Sequence, residues 1–236
     1  MRVLSIVHQH DAGAGVFGEE AAARGHELVE WLPAESSAPR DGFDAAMVFG
    51  GAMNVDEEER HPWLAGEKRM LGQIVEAGTP MLGVCLGAEL LAEAAGASVR
   101  RAPEPEIGWR DIELTADARD DPVIGPLPRR FRGFQWHSYE FAPVAGGVAL
   151  ARSPVCLQAF RVEPLVWGIQ FHAEVTRESV GQWIDGYRND ADAVRAGIEP
   201  DVLLAETEDR IDAWNELGRD LCARFLVTAE ASSTPA

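Results

Sequence analysis

The stretch Met81-Leu82-Gly83-Val84-Cys85-Leu86-Gly87-Ala88-Glu89-Leu90-Leu91-Ala92-Glu93-Ala94-Ala95-Gly96 constrains this chain more than any other. The apolar run Met81 to Val84, introduced by Pro80, predicts a short buried strand. Ala88 to Ala95 is rich in helix formers and predicts a helix that stops at Gly96. Between them, Gly83 and Gly87 flank Cys85 in a Gly-x-Cys-x-Gly pattern. A strand, a tight turn and a helix with a nucleophile at the bend form a nucleophile elbow, here with a thiol where hydrolases of that architecture carry a serine hydroxyl. A cysteine at a helix N-terminus meets unpaired backbone N–H groups and the positive end of the helix dipole, which favour the thiolate. A small buried cysteine between two packing glycines satisfies the same pattern, so the elbow by itself does not decide.

The chain before the elbow supplies its scaffold. Val3 to Val7 reads as the first strand of a buried parallel sheet, Val16 to Arg24 as a helix ending at Gly25, and His26 to Leu32 as a second strand. Pro33 to Gly42 reads as polar loop, and Phe43 to Phe49 as a third apolar strand. Gly50-Gly51 follows directly, where a glycine pair allows close backbone approach for packing or aims an N–H at a ligand. His61 and Trp63 read as packing or capping residues ahead of a helix over Ala65 to Ala77. This alternation predicts an α/β doubly wound sheet, in which sites collect beyond the carboxyl ends of the strands. Gly50-Gly51 and Cys85 both fall there.

After Ser98 the pattern becomes richer in short strands. Arg100 to Pro105 reads as loop, Asp111 to Leu114 as a strand, and the turns at Asp120-Asp121-Pro122 and Gly125-Pro126 follow. Aromatic and polar residues alternate in Gln135-Trp136-His137-Ser138-Tyr139-Glu140-Phe141. Val148 to Arg152, Cys156 to Arg161 and Leu165 to Phe171 read as further strands, the last ending in His172-Ala173-Glu174. His172 and Glu174 are two apart, so on extended backbone they point to one side. A carboxylate beside an imidazole orients a general base for a thiol; a polar strand end would look the same.

Composition narrows the setting. A formal charge of −18 over 236 residues argues against a sequence-independent binder of nucleic acid or anionic membrane. Cys85, Cys156 and Cys222 are odd in number and widely spaced, which suggests neither a disulfide framework nor a zinc site. With no signal-like or membrane-length apolar run, the expectation is a soluble cytoplasmic protein whose thiols stay reduced.

Gly50-Gly51, Gly83-Val84-Cys85-Leu86-Gly87 and Phe171-His172-Ala173-Glu174, in this order, resemble the class I (triad-type) glutamine amidotransferase family. The likeness is to stand-alone members similar to the amidotransferase domain of GMP synthase, and Ile107-Gly108-Trp109 and Trp136 to Phe141 extend it. The resemblance implies a flavodoxin-like doubly wound, mostly parallel sheet with a β-rich second half over residues 1–185. A C-terminal helical extension over 186–228 and a frayed tail over 229–236 would complete the chain. It further implies that Cys85 attacks the side-chain amide of glutamine, His172 moves the protons and Glu174 holds the imidazole. Backbone N–H groups of Gly51 and Leu86 would form an oxyanion hole, and Ser138 and Tyr139 would grip the amino-acid end of the substrate. No metal or organic cofactor is implied. A separate ammonia-accepting synthase is the partner expected, because no synthase domain follows.

Two positions depart from the family pattern. Glu89 stands where the family carries a glutamine that helps position the substrate. A carboxylate there would raise the thiol pKa unless a cationic ligand group offsets it. Glu89 would pair with a substrate ammonium, select a different γ-glutamyl compound, or weaken glutamine hydrolysis. Those outcomes keep open two alternatives, a γ-glutamyl-amine hydrolase and a non-catalytic, regulatory amidotransferase-like protein. Ala173 replaces a common proline and removes no functional group. His137 reads as structural or substrate-lining, since no carboxylate stands at an orienting spacing.

Overall fold

The computed structural model describes residues 1–39 and 42–233. In chain order its first half contains β1 (Arg2–Ile6), α1 (Gly15–Ala23), β2 (Glu27–Trp31), β3 (Ala45–Val48), α2 (Leu64–Glu76), β4 (Met81–Val84) and α3 (Leu86–Ala94). The second half contains β5 (Val99–Leu114), β6 (Arg130–Phe141), β7 (Val148–Arg152), β8 (Leu157–Val162), β9 (Val166–Ile169), α4 (Arg177–Gly186), α5 (Ala191–Ala196) and α6 (Pro200–Ser233). One sheet runs β2-β1-β3-β4-β9-β8-β7-β5-β6. The first five strands in that order are parallel, and from β9 onward neighbouring strands alternate in direction. This is the doubly wound, mostly parallel sheet with a β-rich second half.

The apolar runs are continuous because helices cover both faces of the parallel strands. Val3, Met47, Leu82, Trp167 and Ile169 pack on one side with Phe17 of α1 and Phe225 of α6. Leu4, Ala46, Met81 and Val166 alternate with them and pack on the other side with Leu71 of α2 and Leu90 of α3. Period-two alternation along each strand thus feeds two cores.

Two segments differ from the sequence reading. Arg100 to Pro105, read as loop, is part of β5, a strand of 16 residues. Pro103 and Pro105 lack the N–H that a ladder requires, and they sit in a bulge where pairing with β6 jumps from Arg101↔Tyr139 to Glu106↔His137. At the other end, where a tail was expected from Ala229, α6 continues to Ser233 with Ala229 buried; residues 234–236 lie outside the described residues. Along α6 the buried stripe is Leu203, Thr207, Ile211, Trp214, Leu221, Cys222, Phe225 and Leu226, whereas Leu204 points to solvent.

Candidate active site

The elbow forms as its sequence requires. Cys85 has φ 53° and ψ −114°, the one non-glycine positive φ among the described residues. Such a conformation costs energy and persists where the surroundings enforce it. Here Cys85 N–H donates to the Ile169 carbonyl at 2.8 Å, and the Cys85 carbonyl accepts the Glu89 N–H at 3.0 Å. Close approach explains the flanking glycines: a Cβ on Gly83 would stand 2.6 Å from the Gly87 carbonyl oxygen, and one on Gly87 would collide with the Val48 carbonyl. The Cys85 thiol, 3.8 Å from the Trp136 carbonyl, donates to it.

His172 lies just beyond β9, with each of its groups held. Its N–H donates to the Phe134 carbonyl at 2.8 Å, and its carbonyl accepts from Trp214 Nε1 at 2.8 Å. Its Nδ1 bonds Glu174 Oε1 at 2.7 Å, and the ring packs edge-on against Trp183 at 4.9 Å between centroids. With the proton on Nδ1, Nε2 carries a lone pair. Nε2 is buried and has no hydrogen-bond partner. The gap left by the missing side chain of Gly50 brings the pieces together: a Cβ there would lie 3.1 Å from His172 Cε1 and 3.6 Å from Cys85 Cβ. Cys85, His172 and Glu174 therefore share one buried site, each no more than 6% exposed.

Helix α6 supplies the rear wall. Beyond the Trp214 bond, Asn215 Nδ2 donates to the Val175 carbonyl at 2.7 Å, and Gly218 lets the helix press against the Ala173 carbonyl. α1 adds Val16 N–H to the Glu174 carbonyl at 2.9 Å. The amphipathic stripe in the C-terminal sequence thus packs onto the parent sheet and grips the backbone of the His172–Val175 segment.

Glu89 is not solvated. It is 3% exposed, and its carboxylate accepts from Gln170 Nε2 at 3.0 Å. Burial raises its pKa, opposed by the Gln170 bond and by the nearby His137 and His172. The thiol differs from the expectation of a helix-activated thiolate. Burial pushes the Cys85 thiol well above its ordinary value, and the charges of Glu89 and Glu174 push it further. The Leu86 N–H and the Gln170 side chain act in the opposite sense and are outweighed.

Gly51 and Leu86 are neighbours, a Cβ on Gly51 lying 3.4 Å from Leu86 Cδ2. The Gly50 carbonyl is fixed by His8, a residue that the sequence did not single out. His8 Nδ1 lies 2.9 Å from the Phe49 carbonyl and 3.2 Å from that of Gly50, while Nε2 bonds Glu67 at 2.9 Å. Because the peptide is planar, holding the Gly50 carbonyl also fixes the direction of the Gly51 N–H. Both ring nitrogens face acceptors, so the ring is held as the cation. Burial opposes that charge, but Glu67 and the backbone carbonyls outweigh it and raise the His8 pKa. Trp63 stacks on His8 at 5.6 Å, consistent with a packing role. The available signal was Glu67 itself, an acid on the buried stripe Leu64-Glu67-Leu71-Ile74 of α2.

Ser138 falls opposite the bulge in β5, with no residue paired to it across that strand. Its hydroxyl bonds Asp192, and the Tyr139 hydroxyl donates to Asp56 at 3.0 and 3.1 Å. His137 does have a carboxylate, contrary to the sequence reading. Glu106 from β5 reaches it across the sheet, Oε2 lying 3.4 Å from Nε2.

Residues 21–184 match the family described as glutamine amidotransferase class-I. The chain belongs to that family. It is 32% identical over 188 residues to the glutamine amidotransferase-like protein YfeJ of Salmonella typhimurium, covering 76% of this chain and 78% of that one. It is 30% identical to the smaller component of a glutamine-hydrolyzing GMP synthase of Thermoplasma acidophilum, covering 65% and 73%. Among solved structures, a glutamine amidotransferase from Thermotoga maritima superposes with a TM-score of 0.84 at 29% identity, covering 95% of this chain and 97% of the other. No helix among the described residues is long and apolar enough to cross a membrane.

Proposed function

We propose that this protein hydrolyses the side-chain amide of glutamine, or of a closely related γ-glutamyl amide, by covalent catalysis at Cys85. His172 Nε2 takes the thiol proton as sulfur attacks the amide carbon, and the tetrahedral oxyanion is received by the backbone N–H groups of Gly51 and Leu86. The imidazolium, held by Glu174, returns that proton to the leaving nitrogen, and ammonia departs from a γ-glutamyl thioester. A water deprotonated by His172 then releases glutamate and restores the thiol. Ser138 and Tyr139 hold the amino-acid end through backbone groups. One observation carries the reading: an oriented imidazole whose buried Nε2 has no partner lies beside the strained Cys85.

The catalytic unit in this reading is residues 1–185, with 186–228 as an extension backing the His172 segment. Its partner is a separate ammonia-accepting synthase, a reading supported by the relative named as a component of GMP synthase. Three free cysteines fit a reducing cytoplasmic setting.

The buried Glu89 favours a second reading, a γ-glutamyl amide bearing a cationic amine that offsets the carboxylate. Glutamate release from glutamine by the native protein, Cys85→Ala and Glu89→Gln separates them. Hydrolysis that falls about a thousandfold or more in Cys85→Ala supports the primary reading. A native protein inert towards glutamine, with turnover appearing in Glu89→Gln, moves the substrate to the cationic γ-glutamyl amide. Hydrolysis undiminished in Cys85→Ala refutes both.

A further inference from the structure

A second group of chemically capable side chains lies outside the Cys85 site and takes no part in the proposed reaction. Glu106 of β5, His137 of β6 and Cys156 just before β8 converge from three segments, and all are buried. Their Oε2, Nε2 and Sγ atoms lie within 4.8 Å of one another. Cys156 Sγ is 3.3 Å from Glu106 Oε2, and His137 Nε2 is 3.4 Å from the same oxygen. Metal–ligand bonds of about 2.0–2.3 Å in a tetrahedron place ligand atoms roughly 3.3–3.7 Å apart. Both of these edges match that spacing.

The surroundings orient these atoms as a metal's outer shell does. His137 Nδ1 donates to the Tyr139 carbonyl at 2.8 Å, which puts the lone pair on Nε2. That Nε2 is buried, without a hydrogen-bond partner, and aimed into the cluster. Ser153 Oγ donates to Glu106 Oε2 at 2.8 Å. Gln158 Nε2 donates to the same oxygen at 2.8 Å and to Cys156 Sγ at 3.3 Å. The orientation of that amide is set by Gln135 Nε2, which donates to Gln158 Oε1 at 2.6 Å. Glu106 also lines a cleft of about 830 Å³ with Pro105, Trp109 and Val155, which gives an ion a route from solvent.

We propose that Glu106, His137 and Cys156 bind one divalent cation of the zinc type, with a fourth position left to water. A sulfur, a nitrogen and an oxygen together suit Zn²⁺ and disfavour the hard cations Mg²⁺ and Ca²⁺. Coordination replaces the Cys156 S–H by a sulfur–metal bond and releases that proton to solvent, with no change of oxidation state. The ion would pin the β5 bulge to β6 and fix the strand whose Trp136 carbonyl meets the Cys85 thiol.

Cobalt titration of chelator-treated full-length protein tests this, in a Cys85→Ala background so that the elbow thiol cannot contribute. The expected result is one equivalent of Co²⁺, a thiolate-to-cobalt charge-transfer band and the strong visible bands of a tetrahedral ion, all displaced by Zn²⁺. Adding Cys156→Ser abolishes the charge-transfer band, and adding His137→Asn weakens binding at least tenfold. Absence of the band in the Cys85→Ala protein overturns the proposal, as does a band that survives Cys156→Ser. Should Cys156→Ser fail to fold, the band in Cys85→Ala and its weakening by His137→Asn decide the matter.

Discussion

At Cys85 the elbow and its neighbours oppose one another. The Leu86 N–H favours a thiolate, while burial and the carboxylates of Glu89 and Glu174 favour the thiol. The resting site therefore holds its proton until a substrate displaces water and brings its own charge. Glu89→Gln keeps an acceptor for Gln170 Nε2 and removes one of the two opposing charges. The thiol pKa then falls, so the pH profile of Cys85 alkylation by a small haloacetamide shifts to lower pH than in the native protein. An unshifted profile would mean that the Glu89 charge does not reach the sulfur.

Among the elements, α6 does more than close the core. Its Trp214 spans from the helix to the His172 carbonyl, and Asn215 and Gly218 meet the next residues of the same segment. Trp214→Phe keeps an aromatic body against Trp109 and Phe171 but removes the indole donor. The loss of one buried hydrogen bond costs about 1 kcal/mol, with more if the carbonyl is left without a partner. Because the bond positions His172 and not the substrate, kcat falls several-fold while KM stays close to native. A change confined to KM, or only a lower thermal midpoint with full activity, would reduce Trp214 to packing.

Over the whole molecule, the parallel half was legible because its signals are local. Apolar runs, glycine at helix ends and the Gly-x-Cys-x-Gly turn each describe their own few residues. The second half depends on contacts distant in sequence. Prolines made β5 look like loop, although the bulge that accommodates them is what brings Glu106 opposite His137. Nothing local in His8 or Glu67 names the other, 59 residues apart. Likewise the stripe on α6 announced a packing face without telling that it would hold the His172 backbone. Glu89 was recognisable as unusual from the elbow pattern, yet its burial against Gln170 needed the folded sheet.

Glu89 also sets a pH dependence of global stability. Its folded pKa is raised by burial, so its contribution is fully present below the ordinary carboxylate range and is lost as pH rises through the folded value. Glu89→Gln should therefore be more stable than the native protein at neutral pH, with the difference shrinking on acidification. Urea unfolding of both proteins across that range measures it; a constant difference would show that the carboxylate titrates alike in both states.

The most direct test of the central claim, that Cys85 is the nucleophile for a glutamine-type amide, is mass mapping after exposure to a diazoketone analogue of glutamine. The expected result is one stoichiometric adduct on the peptide containing Cys85, formed more slowly when glutamine is present. Labelling at Cys156 or Cys222 in its place, or no adduct at all, would contradict it.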